Sequence, residues 1–226
     1  MNATLTTAPE FVRKDNKLQK LIRSPWFWVL FLIYGYGYPV YRSLNRTLPP
    51  DLPVISQVPE FELISENGTP FGSKDLKGRV YLANFVFTRC PSVCPKMLTD
   101  LEKIQKRVRG TGRKVAIVTF TVDPEFDKPD VLFKMARDRK ANPYVWTFLT
   151  GNDKESLFKL YKDGFKVGVE QGVKAPGNLF EIAHSERIVL VDDENRVRGF
   201  YPYEEHSINQ LMIDVGLLIN RPSTKE

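Results

Sequence analysis

The sequence predicts an α/β domain whose central sheet is flanked by helices, standing behind one N-terminal transmembrane helix. Three features predict this. A charge-free, largely apolar run fills residues 24–41. From residue 61 onward, strand-like runs alternate with helix-like patterns. Two of those runs, Val-Tyr-Leu-Ala-Asn-Phe-Val-Phe at 80–87 and Val-Ala-Ile-Val-Thr-Phe-Thr-Val at 115–122, are apolar on both faces, as parallel strands covered by helices are.

Composition bounds the rest. A chain of 226 residues with 42% hydrophobic and 27% charged residues is neither disordered nor a polytopic membrane protein. Two cysteines cannot make a disulfide framework, so the domain must fold on its own core. The net charge is +6, but the 33 basic and 27 acidic residues are interspersed, and no block suggests a nucleic-acid groove.

Residues 1–24 read as a cytoplasmic tail and 25–42 as the anchor. Eighteen uncharged residues at about 1.5 Å each cover roughly 27 Å, close to the hydrocarbon thickness, with Trp26, Trp28, Tyr38 and Tyr41 as interfacial residues. A core helix would show a polar face, and a cleaved signal would end in a small-x-small site, which Tyr38-Pro39-Val40-Tyr41 does not offer. Arg13, Lys14, Lys17, Lys20 and Arg23 precede the span, whereas 42–60 holds only two basic residues, so the N-terminus is expected to stay in the cytoplasm. The C-terminal domain is then expected on the periplasmic side of a bacterial inner membrane, where cysteines can be oxidised and exchanged.

Residues 43–60 carry Pro49, Pro50, Pro53 and Pro59 and read as a semi-rigid spacer ahead of the domain at 61–226. An Asn67-Gly68 turn predicts a short hairpin at its start. Strands are then expected at 79–87, 114–122, 144–149, 187–191 and 197–203, and helices at 95–109, 128–141, 153–163 and 204–219. Asp192-Asp193-Glu194-Asn195 closes the last two strands as a hairpin. This βαβ order with a terminal hairpin is thioredoxin-like.

Cys90-Pro91-Ser92-Val93-Cys94-Pro95 lies between the first long strand and an amphipathic helix whose apolar face is Met97, Leu98, Leu101, Ile104 and Val108. Proline is favoured at the first helical position, so Pro95 is expected to open the helix, with Cys94 near its N-cap and Cys90 in the preceding loop. Both sulfurs then meet the helix N-terminus, which favours thiolate, the form that attacks disulfides and binds soft metals. The spacing is Cys-x3-Cys and not the Cys-x2-Cys of a dedicated disulfide oxidoreductase. The extra residue widens the bite and suits two sulfurs on one metal ion.

Phe87-Thr88-Arg89-Cys90-Pro91-Ser92-Val93-Cys94-Pro95, then Thr121-Val122-Asp123-Pro124-Glu125, then Ala183-His184-Ser185 ahead of an apolar strand, resemble the Sco (SenC) family over about residues 58–220. The resemblance implies a membrane-anchored, thioredoxin-fold, copper-binding protein that helps to assemble the dinuclear copper (CuA) centre of cytochrome c oxidase. It implies copper, as Cu(I) or Cu(II), held by Cys90, Cys94 and His184. It also implies as partners cytochrome c oxidase subunit II or another copper-receiving protein, other copper chaperones or thiol-disulfide oxidoreductases. Two thiolates and an imidazole form a donor set that suits Cu(I) and, with one further oxygen ligand, Cu(II). The chain departs from the family pattern at Ser92, where aspartate is frequent, and at Phe126 and Lys128 within Asp123-Pro124-Glu125-Phe126-Asp127-Lys128-Pro129, where the family has Asp-Pro-Glu-Arg-Asp-Thr-Pro.

Asp123 follows a strand end on the sheet's ligand-facing side and is a candidate for a carboxylate that orients a metal-binding group. His206, at the start of the last helix, is expected on a solvated face. The alternative function is a thiol-disulfide oxidoreductase in which Cys90 attacks a partner disulfide and Cys94 resolves the mixed disulfide. A peroxidase is disfavoured because no peroxidase signature accompanies the cysteines.

Overall fold

The long apolar runs build the centre of one mixed sheet. The computed structural model of the protein describes residues 17–45, 51–91, 93–167 and 186–221. Among them, β1 (Ser56–Gln57), β2 (Glu62–Ser65), β3 (Pro70–Gly72), β4 (Val80–Val86), β5 (Val115–Thr121), β6 (Trp146–Thr150), β7 (Arg187–Val191) and β8 (Arg196–Pro202) pair in the order β1-β8-β7-β4-β5-β6-β2-β3. β4, β5 and β6 are parallel. The flanking pairs are antiparallel.

Every residue of β4 and β5 is buried. That is why their apolar runs do not alternate with polar residues: both faces are covered. On one side Phe85 stacks on its register partner Phe120 at 5.4 Å between centroids, and Tyr161 and Phe165 close round them at 4.8 and 5.5 Å from the Phe85 ring. The Tyr161 hydroxyl donates to the Thr121 carbonyl at 2.7 Å, so this buried polar tip is satisfied. Phe120→Ala would open a cavity in this cluster and is expected to cost about 3–5 kcal/mol by chemical denaturation. A loss below about 1 kcal/mol would show that the cluster collapses without penalty.

Two turns follow their sequence chemistry. Gly68 takes φ +75° in the β2–β3 hairpin, a conformation that costs glycine least. In the β7–β8 turn Asn195 has φ 64°, and the Asp192 carboxylate accepts from the backbone N–H of Glu194 and of Arg196 at 3.0 and 2.9 Å.

The helices of the domain are α4 (Cys94–Val108), α5 (Pro129–Asp138), α6 (Lys154–Lys159) and α7 (Glu205–Ile219). Within the stretch expected as a spacer, Ser56–Gln57 pairs with β8, and Val58 is buried with its N–H bonded to the Asn195 carbonyl at 2.9 Å. Proline-rich composition did not prevent a short edge strand there, because Pro53 and Pro59 lie outside the paired residues. The expected helix at 153–163 relaxes after Lys159 into a π-helical turn, Leu160–Gly164.

The chain divides into two units, residues 1–51 and 52–226. In the first, α1 (Lys17–Arg23), α2 (Pro25–Leu32), a π-helical turn (Ile33–Gly37) and α3 (Tyr38–Leu44) follow one another. The sequence predicts one spanning helix here. Among the described residues no helix is long and apolar enough to cross a membrane. The interruption has a local cause. Pro39 cannot donate to the carbonyl four residues back, at Gly35, and its ring crowds that turn, so the backbone widens over Ile33–Gly37.

Candidate metal centre

β4 delivers the chain through Phe87, Thr88 and Arg89 to Cys90, whose N–H closes a turn onto the Phe87 carbonyl at 3.2 Å. Cys94 is the first residue of α4 and Pro95 the second, one position earlier than the sequence reading expects. Proline fits there because an N–H in the first turn has no helical partner to lose. The two sulfurs are in hydrogen-bonding reach of each other, and no disulfide joins them.

Both cysteines are buried, Cys90 at 9% exposure and Cys94 at 2%. The turn therefore does not present its thiols openly to solvent, and Cys90 is the more accessible of the two. This corrects the expected electrostatics of Cys94. Burial pushes its thiol up to about 12, with the Cys90 hydrogen bond adding to the rise and a backbone hydrogen bond at Phe87 opposing it. For Cys94, desolvation outweighs the helix N-terminus. Metal binding at this sulfur must therefore release a proton.

Asp123 and Asp127 belong to the loop between β5 and α5, and both are buried. Asp123 accepts from the Arg89 guanidinium at 2.5 Å, and that guanidinium also lies over the Phe126 ring, 4.2 Å from its centroid. Asp123 thus holds the residue next to Cys90. Asp127 accepts from the Thr88 N–H at 3.1 Å, the Thr88 hydroxyl, and the Thr121 hydroxyl at 2.5 Å. Burial pushes the Asp127 carboxyl above its ordinary value, with the hydrogen bonds from Thr121 and Thr88 opposing the rise. The acidic loop and the cysteine turn are tied at two adjacent points.

His184 lies outside the described residues. The register nevertheless shows where the chain beyond it arrives. β7 runs antiparallel to β4 with Val189 beside Ala83 and Val191 beside Tyr81, so its first residue, Arg187, is at the end of β4 from which the cysteine turn departs. His206 is exposed in the first turn of α7, on a solvated face as expected. No group of three or more His, Cys, Asp or Glu that could hold a metal is found among the described residues.

Tyr203, between β8 and α7, was not singled out from the sequence. It is buried, its hydroxyl has no hydrogen-bond partner among the described residues, and burial, with Cys94 and Asp100 adding, pushes its ionisation far up. A tyrosine at the end of a strand carries no pattern that marks it in advance.

A mixed sheet of this order, with a cysteine-bearing turn between its first long parallel strand and the helix that follows, defines a thioredoxin-like protein. The chain belongs to the SCO1/SenC family, whose model matches residues 53–219. It is 31% identical over 159 residues to the SCO1 protein homolog of Bacillus subtilis, covering 68% of this chain and 80% of that one. It is 30% identical over 149 residues to the "Putative copper-binding protein" of Stutzerimonas stutzeri, covering 66% and 70%. Among solved structures, BsSco, a member of the Sco family of cytochrome c oxidase assembly proteins described as having a disulfide switch, superposes with a TM-score of 0.64 at 27% identity, over 76% of this chain and all of that one.

Proposed function

We propose that the protein is a membrane-anchored copper metallochaperone that serves assembly of the CuA centre of cytochrome c oxidase, taking copper on Cys90, Cys94 and His184. The observation that carries the reading is the meeting of the chain's two cysteines, Cys90 and Cys94, within hydrogen-bonding reach at one strand-to-helix turn. Two such sulfurs are soft donors that suit Cu(I). Family membership and the name of the Stutzerimonas relative support copper as the cargo, and the description of BsSco supports the oxidase as its destination. His184 stands three residues before Arg187, a chain length of about 10 Å at full extension, and so within reach of the sheet end that bears the cysteines.

Copper would pass to the recipient by ligand exchange. A recipient thiolate displaces one donor at a time, and the more accessible Cys90 yields first. The second reading, a thiol-disulfide oxidoreductase, draws on the same proximity: sulfurs this close need little movement to form a disulfide. The raised Cys94 thiol does not separate the two readings, because metal capture and exchange both proceed through the thiolate. Anaerobic Cu(I) titration of the reduced, full-length chain against a competing chelator tests the reading. One tightly held Cu(I) per chain is expected, and none after the pair is oxidised. Equal binding in both states would sink it.

The anchor belongs to the same proposal. Trp26, Leu30, Tyr34, Tyr36 and Tyr41 are exposed along a charge-free stretch, and the three helical pieces from Pro25 to Leu44 follow without a gap, a rise of about 30 Å. Such apolar exposure suits hydrocarbon surroundings. Alkaline phosphatase fused after Glu226 is expected to be active in a bacterial host. An inactive phosphatase with an active cytoplasmic reporter at that position would reverse the topology.

A further inference from the structure

We propose that Asp127 is a positioning residue for the cysteine pair: by gathering Thr88 and Thr121 on one buried carboxylate, it fixes where Cys90 stands relative to Cys94. The inference deepens the copper reading and rests on it only for the copper arm of its test.

The two cysteines are placed by different means. Cys94 is the first residue of α4 and is held by a 15-residue helix with a buried face. Cys90 precedes the helix, and its position follows from the short segment that leaves β4 at Val86. Two residues before Cys90, Thr88 gives both its N–H and its hydroxyl to Asp127. The same carboxylate takes the hydroxyl of Thr121, the last residue of β5 and the register partner of Val86. Asp127 thus bridges the ends of the two central strands at the point where the cysteine turn departs. Its own N–H is bonded to the Asp123 carbonyl at 2.8 Å, so the loop that carries it is itself closed.

The chemistry of the bridge is costly for a fold that needs only stability. Asp127 is fully buried, and its hydrogen-bond donors are neutral, while the nearby Arg89 guanidinium bonds to Asp123. A buried carboxylate without a cation on it is held more cheaply, in stability alone, by a packed apolar side chain. What an apolar side chain cannot do is fix direction. Three converging donors set the height and rotation of the segment before Cys90, and a shift there changes the separation of the sulfurs.

The test compares the full-length wild type with Asp127→Ala, Asp127→Asn, Thr88→Val and Asp214→Ala. Asp214 is a second buried carboxylate, bonded to Tyr201 and Gln210, whose loss controls for destabilisation. Two quantities are measured. One is Cu(I) affinity by chelator competition. The other is the equilibrium constant for oxidising Cys90 and Cys94 against a reference dithiol couple, in which two electrons and two protons pass from the pair to the reference disulfide and one Cys90–Cys94 bond forms. Asp127→Ala is expected to change both by about tenfold or more, the effect of losing hydrogen bonds to a charged acceptor. Asp127→Asn, which keeps an acceptor for the Thr88 N–H, is expected to stay within about threefold of wild type, and Thr88→Val to lie between the two.

Wild-type values in Asp127→Ala overturn the proposal, as do equal shifts in Asp214→Ala. If Asp127→Ala does not fold, Thr88→Val decides, and unchanged constants in it overturn the proposal. If the wild type holds no copper while Asp127→Ala still moves the disulfide equilibrium, the copper reading falls and the positioning role stands.

Discussion

Cys90→Ser and Cys94→Ser are each expected to abolish tight Cu(I) binding. The hydroxyl is a hard, neutral donor in place of a soft thiolate, and the remaining sulfur with one imidazole leaves Cu(I) under-coordinated. The loss expected is large, about a hundredfold or more in affinity, because a ligand and not a supporting group is removed. The substitution is nearly isosteric: the Cys90 N–H bond to the Phe87 carbonyl does not involve the sulfur, and a serine oxygen at 94 can still accept the backbone hydrogen bond from Phe87. The fold is therefore expected to survive, which circular dichroism checks. Retention of one tightly bound Cu(I) in either variant would remove the proposed ligand set.

The second large effect separates the two functions. His184→Ala is expected to weaken copper retention by about a hundredfold or more, beyond the range for loss of a supporting contact, while dithiol-disulfide exchange changes little. Exchange needs an attacking thiolate and a resolving thiol, and the imidazole supplies neither. Copper affinity and disulfide reductase rate are measured on the same preparation, with the thermal midpoint as control. Unchanged affinity with a collapsed reductase rate would make His184 an acid-base residue and leave the metal with two protein ligands.

The sheet was legible in the sequence because its centre is unambiguous: β4 and β5 are apolar at nearly every position, and β7 begins and ends where its pattern does. The turns were legible through Gly68 and Asn195, residue types that tolerate positive φ. Ser56–Gln57 was not, since two residues at a sheet edge carry no period and only the pairing with β8 makes them a strand. The division of Pro25–Leu44 was signalled by Pro39, but hydropathy sums over the run and does not see a backbone conflict at Gly35.

At the site, spacing and flanking elements located the cysteines. Their burial was not readable, because it comes from packing within the core of the whole domain and not from local spacing. Desolvation then reverses the sign expected from the helix N-terminus alone. Asp123 was selected for its place after β5, and the structure gives it a definite partner in Arg89. Asp127, four residues on in the same loop, was not selected as a site residue. Its contacts to Thr88 join segments 39 residues apart, and no local pattern carries that information.

X-ray absorption at the copper edge, on the full-length chain loaded anaerobically with one equivalent of Cu(I), tests the central claim most directly. The account predicts two sulfur scatterers and one imidazole nitrogen per copper, with one sulfur lost in each cysteine variant and the imidazole lost in His184→Ala. A spectrum of the wild type without sulfur ligands, or one that Cys90→Ser and Cys94→Ser leave unchanged, would contradict it.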